Sequence, residues 1–132
     1  MYLLIDITPR EGFNLVCSEP DKAGTFYVDE KFFPWQADKL LLAMKEFVAE
    51  QGTEFKKLNG LGMSAGNSFS STRTASILLN TIGHIHNLPV AFIADEDLVG
   101  GAHKALRGKK KYAPITPSYS REPNITMAKK KI

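Results

Sequence analysis

The sequence holds few of the residues that mark several common protein classes. It has one cysteine, Cys17, among 132 residues. A lone thiol makes no internal disulfide and no cysteine-built metal site. Long apolar runs are missing too. The longest, such as Leu40–Met44 and Val90–Ala94, are five residues, and a membrane-spanning helix needs about twenty. The opening Met-Tyr-Leu-Leu-Ile-Asp has no basic start and meets an acid at position six. That reads against a signal peptide and makes the cytoplasm the expected compartment, with no membrane partner. No Gly-Lys-Ser/Thr triplet occurs, so there is no P-loop. Serine, threonine and cysteine stand in no recognisable nucleophile motif. His84-Ile-His86 places two imidazoles two residues apart, about 200° from each other on a helix, which excludes chelation by the pair. No catalytic residue, metal or cofactor is expected.

Apolar residues make up 43% and charged residues 23% of the chain, an ordinary globular mixture for one domain. The charge is uneven. Residues 1–102 hold eight Lys/Arg and thirteen Asp/Glu, net −5, whereas residues 103–132 hold nine Lys/Arg and one acid, net +8. The expected division is a body over residues 1–107 and a basic, extended tail over 108–132. Such a tail either meets an anionic partner or keeps a terminus solvated.

Tyr2–Ile7, Phe13–Ser18 and Gly24–Asp29 are short apolar segments separated by turn residues, a pattern that predicts an antiparallel meander. The period then changes. Residues 37, 40, 41, 44, 47 and 48 form a helical stripe between Pro34 and Gly52. Leu58–Ser64 reads as a strand. Ser68 reads as the N-cap of a helix over 69–87 with apolar positions 75, 78, 79, 82 and 85. Val90–Ala94 reads as a strand and Glu96–Arg107 as a short helix. The order β-β-β-α-β-α-β predicts an α/β fold with a mixed sheet and helices packed on it, as in ribonuclease-H-like and actin-like ATPase lobes.

Three features bear on function. Asp6 ends the first strand, where α/β sheets commonly face ligands; it either serves a metal or nucleotide or caps the Thr8–Gly12 turn. The segment Gly60-Leu-Gly-Met-Ser-Ala-Gly66 misses the dinucleotide fingerprint, because its third glycine falls one residue late. What remains, Gly66, Ser68 and Arg73 around a helix start, is either an anion site or a tight strand-to-helix turn. On the helical wheels, Leu42 and Ala49 lie opposite the inner face of the first helix, in line with Trp35. Ile77 lies with Ser70, Thr74 and Thr81 on the outer side of the second. Apolar residues on outer faces predict a partner surface. Cys17 alternates with apolar neighbours and reads as a core residue.

The segment Leu61-Gly-Met-Ser-Ala-Gly-Asn-Ser-Phe-Ser-Ser-Thr-Arg73 resembles the motif of the TsaB (YeaZ) family. Gly66, Ser68, Phe69 and Arg73 match it; Asn67, Ala65 and Ser71 depart from it. Leu3-Leu-Ile-Asp-Ile-Thr8, Asn87-Leu-Pro-Val-Ala91 and the stretch from Ile115 to Thr126 are similar to other family segments. The resemblance covers residues 1–94 and 112–132, with 95–111 standing where the family has a second lobe. It implies an accessory, non-catalytic subunit for threonylcarbamoyladenosine synthesis on transfer RNA. Its expected partners are a TsaD-like catalytic subunit, a TsaE-like ATPase, or a second copy forming a homodimer, met through helices 34–51 and 69–87. Trp35, Leu42, Ala49, Ser70, Thr74, Ile77 and Thr81 are the expected contact residues. Transfer RNA is expected indirectly or through the basic tail. The competing readings are a nucleotide-binding lobe and a small nucleic-acid binder.

Overall fold

A computed structural model describes residues 1–9, 11–20, 26–64, 66 and 68–116. Five strands and three helices follow in the order expected. The strands are β1 (Tyr2–Asp6), β2 (Gly12–Pro20), β3 (Phe26–Pro34), β4 (Gly60–Ser64) and β5 (Val90–Ile93). The helices are α1 (Leu40–Glu50), α2 (Phe69–His86) and α3 (Leu98–Leu106), with 3-10 turns at Ala37–Lys39 and Phe55–Lys57. The sheet order is β3-β2-β1-β4-β5. β1, β2 and β3 pair antiparallel, and β4 runs parallel to both β1 and β5.

Helices cover both faces of the sheet centre, and the strands there are apolar on both faces. Leu3, Leu4 and Ile5 are fully buried, and every residue of β4 is buried. Leu3, Ile5, Phe13 and Leu15 point to one side, against Met44 and Phe47 of α1 and Leu79 of α2. Leu4, Val16, Ala91 and Ile93 point to the other, against Ala102 and Leu106 of α3. Gly101 lets α3 lie close on β5, since a Cβ there would stand 2.7 Å from Ile93 Cγ2, whereas a Cβ on Gly100 would meet the carboxylate of Asp97, which caps the helix.

Two elements differ most from expectation. The third strand runs Phe26–Pro34, later and longer than Gly24–Asp29. The first helix starts at Leu40 rather than Pro34. Pro34 ends the strand instead, and the Trp35 amide still donates to the Glu11 carbonyl at 3.1 Å, which holds the chain along β2 past the proline. Pro34 suits a strand end for the same reason it suits a helix start: neither position needs its missing N–H. The helix ends are as expected. Gly52 takes φ +78 after α1, and Ser68 Oγ accepts from the Ser71 amide at 3.3 Å.

The start of the expected tail is tied to the body. Asn80 forms a two-way bridge to Ile115, accepting from its amide at 2.9 Å and donating to its carbonyl at 3.1 Å. Asn87 accepts from the Tyr112 amide at 3.1 Å, and Tyr112 and Ile115 pack on the core. The expected docking of Tyr119 and Pro123, and the solvated Lys129–Lys131, lie outside the described residues. Among the described residues no helix is long and apolar enough to cross a membrane.

Candidate functional site

The carboxyl ends of β1 and β4 meet below the start of α2. There Asp6 Oδ1 accepts from the Thr8 amide at 3.1 Å, the Thr8 hydroxyl at 2.7 Å and the Ser64 hydroxyl at 3.1 Å. Ser64 Oγ in turn accepts from the Ile7 amide at 3.0 Å. Asp6 thus organises the turn after β1, one of the two roles its position allows. Gly66 is buried where the chain passes Thr72 and Ile7, and a Cβ there would lie 2.5 Å from Thr72 Oγ1 and 2.7 Å from Ile7 Cδ1. Its use is close approach of backbone to side chains. Ser68 caps α2, and Arg73 is exposed on the helix. No group of three or more His, Cys, Asp or Glu able to hold a metal exists among the described residues.

Beside this turn lies a hollow of about 320 Å³, lined by Ile7, Pro9, Glu11, Trp35, Ser68 and Ser70, among others. Trp35 belongs here and not on a helix face. It precedes the 3-10 turn, is half-buried, and meets Phe13 edge to face with ring centroids 5.7 Å apart. The wheel that aligned Trp35 with Leu42 and Ala49 extended the helix six residues too far. Ser70 also faces this hollow, together with Trp35.

The larger feature is a groove of about 510 Å³ between α1 and α2. Leu41, Val48 and Ala49 form one wall and Leu78, Thr81, Ile82 and Ile85 the other, with Lys45, Glu54 and Lys56 at its margin. Of the expected contact residues, Ala49 and Thr81 line it. Ile77 is exposed on α2, Thr74 is half-buried, and the exposed Leu42 faces a separate hollow with Phe13, Phe33 and Ala43. Leu41 and Ile85, expected to face the sheet, are 43% and 67% exposed. The correction has a simple geometric cause. At 100° per residue, Leu41 stands at the edge of its apolar arc beyond Val48, and Ile85 at the edge of its own beyond Leu78. The apolar arc of each helix is wider than the sheet covers, and the two surplus flanks face each other across an open groove. The missed signal was the width of the arcs.

Two other groups are buried in the body. His103 Nε2 and Ser18 Oγ are 2.9 Å apart, with Phe26 stacked on the imidazole at 4.0 Å and Tyr2 edge-on at 4.8 Å. Burial, then the positive N-terminus and Arg107, lower the His103 pKa. Cys17 is buried as expected, and burial pushes its thiol up to about 12, which makes it a poor nucleophile.

No family model and no curated protein matches the sequence. Solved structures match the fold, two of them described by reference to YeaZ. YeaZ from Pseudomonas aeruginosa superposes with a TM-score of 0.56 at 18% identity, over 78% of this chain and 48% of that one. An uncharacterized protein from Pseudomonas aeruginosa with similarity to peptidase YeaZ gives a TM-score of 0.56 at 18% identity, over 82% of this chain and 48% of that one. The chain therefore spans about half the length of each. At this identity the likeness is one of fold, and it places the five-stranded mixed sheet with its three helices in the α/β, ribonuclease-H-like and actin-like class to which YeaZ is similar.

Proposed function

We propose that this chain is a TsaB-like accessory subunit that holds a TsaD-like enzyme through α1 and α2 and so supports threonylcarbamoyladenosine modification of transfer RNA. In this reading the subunit itself is not catalytic, and a TsaE-like ATPase is a further member of the assembly. The fold likeness to YeaZ supports the assignment. The observation that carries it is the open groove between the helices, with Leu41 and Ile85 exposed on its walls. Two helices that present facing apolar flanks are half of a helical bundle, and a partner's helix pair supplies the missing apolar surface. The engagement of Asp6 Oδ1 by three donors supports a structural role for the residue that a nucleotide site would otherwise use.

The test is binding to the TsaD-like subunit of the same organism. Leu41→Asp and Ile85→Asp each place an unpaired carboxylate in the contact, at a cost of about 2–5 kcal/mol of binding. Thermal stability should change little, because both side chains are exposed in the free subunit. Unchanged affinity in both variants refutes the proposal.

A further inference from the structure

The exposed large apolar side chains among the described residues fall into two sets. One belongs to α1 and α2. The other is confined to β3, where Phe26, Tyr27, Val28 and Phe32 are 40%, 50%, 44% and 53% exposed. Among the described residues β3 is one edge of the sheet, and it is nine residues long. A long, apolar edge strand presents unpaired backbone N–H and C=O groups and is a template for adding another strand.

The pattern of β3 identifies the occupant. We propose that β3 pairs antiparallel with β3 of a second copy of this chain, about a two-fold axis through Glu30. That register overlaps the whole strand. It sets Val28 opposite Phe32, Tyr27 opposite Phe33, and Asp29 opposite Lys31, each twice. Apolar and opposite-charge pairs directly across two antiparallel strands are the stabilising kind. A two-fold axis normal to the sheet keeps residues of like parity opposite each other, so the neighbouring symmetric registers centre on Asp29 or Lys31. The first sets Asp29 against itself and Glu30 against Val28. The second sets Lys31 against itself and Glu30 against Phe32. Only the full-length register joins the opposite charges.

Contacts within the chain prepare those charges. Lys31 Nζ lies 3.1 Å from Glu50 Oε2, and Gln51 Nε2 donates to Asp29 Oδ2 at 2.6 Å. Both side chains are therefore drawn to the face of the sheet that carries α1, where each meets its opposite number from the second copy. The full-length register also sets the exposed Glu30 opposite itself on the other face, and this repulsion keeps the association weak. The contact is isologous, so it closes as a dimer. It lies in the plane of the sheet and leaves the α1–α2 groove open, and it does not rest on the reading of that groove.

Cysteine cross-linking of the full chain tests the proposal. Paired Cβ atoms across strands lie about 4.5–5.5 Å apart, near the reach of a disulfide. Glu30→Cys should give covalent dimers about tenfold faster than Glu46→Cys, an exposed position on α1. In sedimentation, Asp29→Lys should weaken self-association of the otherwise native chain, and Asp29→Lys with Lys31→Asp should restore it. Circular dichroism of each variant establishes that the fold is kept. The proposal fails if Glu30→Cys cross-links no faster than Glu46→Cys, or if the double variant does not recover association. It also fails if association is insensitive to Asp29→Lys but abolished by Ile85→Asp, which assigns it to the helices.

Discussion

Ser64 donates to Asp6 across the ends of two parallel strands, at 3.1 Å. β1 and β4 are adjacent in the sheet with Ile5 beside Met63, so the next residue of each strand is brought level with the other. The pair closes the end of the sheet centre. Ser64 receives the Ile7 amide while giving its own proton to Asp6, so the turn after β1 is bonded to β4 as well as to itself.

Asp6→Ala should therefore act on stability. It leaves the Thr8 amide, the Thr8 hydroxyl and the Ser64 hydroxyl without this acceptor. The expected loss is about 1–3 kcal/mol, softened where water reaches the exposed Thr8. Denaturant unfolding measures it. Calorimetric titration with Mg-ATP should show no binding by the native chain. Micromolar affinity lost in Asp6→Ala would return this carboxylate to a nucleotide role.

Gly66→Ala should destabilise the turn into α2. Its methyl group would enter the space of Thr72 Oγ1 and Ile7 Cδ1, at 2.5 and 2.7 Å. Thr72 is held by its own hydroxyl bond to the Ser68 carbonyl at 2.8 Å, so it yields only by losing that bond. Overpacking of this kind costs about 1–3 kcal/mol. Gly66→Ala with Thr72→Ser, which removes the neighbouring methyl and keeps the hydroxyl, should recover little; Gly66→Ala with Thr72→Ala should recover more, since the clash is with the oxygen. A wild-type melting temperature in Gly66→Ala contradicts the packing argument.

His103 makes stability depend on pH. Its folded pKa lies below the ordinary 6.5, because burial first and the positive N-terminus and Arg107 after it disfavour the imidazolium. The unfolded chain then binds the proton more readily than the folded one. The contribution is complete above about pH 6.5 and is lost as pH falls through the folded value. Thermal melts should show a decline below pH 6.5 that is smaller in His103→Leu, whatever that variant's stability at neutral pH. Parallel profiles for the two proteins would exclude His103 as the source.

The order of elements was legible in the sequence because each carries its own periodicity. The alternation of β2, the apolar β1 and β4, and the helical stripes of α1 and α2 depend on local geometry alone. Ser68 as a cap and Gly52 as a stop were legible for the same reason: they answer to backbone groups a few residues away. Pro34 was ambiguous, since a missing N–H suits both a strand end and a helix start, and the bond from Trp35 to Glu11 on a neighbouring strand decided it.

The faces were another matter. The sequence determined that α1 and α2 carry apolar arcs and that Asp6 and Gly66 flank strand-to-turn junctions. Tertiary structure decided which parts of those arcs are covered. Leu40 and Leu79 face a sheet and are fully buried, while Leu41 and Ile85 face an open groove. Periodicity records the direction of a side chain from its own axis, whereas burial depends on what stands opposite, and that is fixed by strand order and by the spacing of two helices on one sheet.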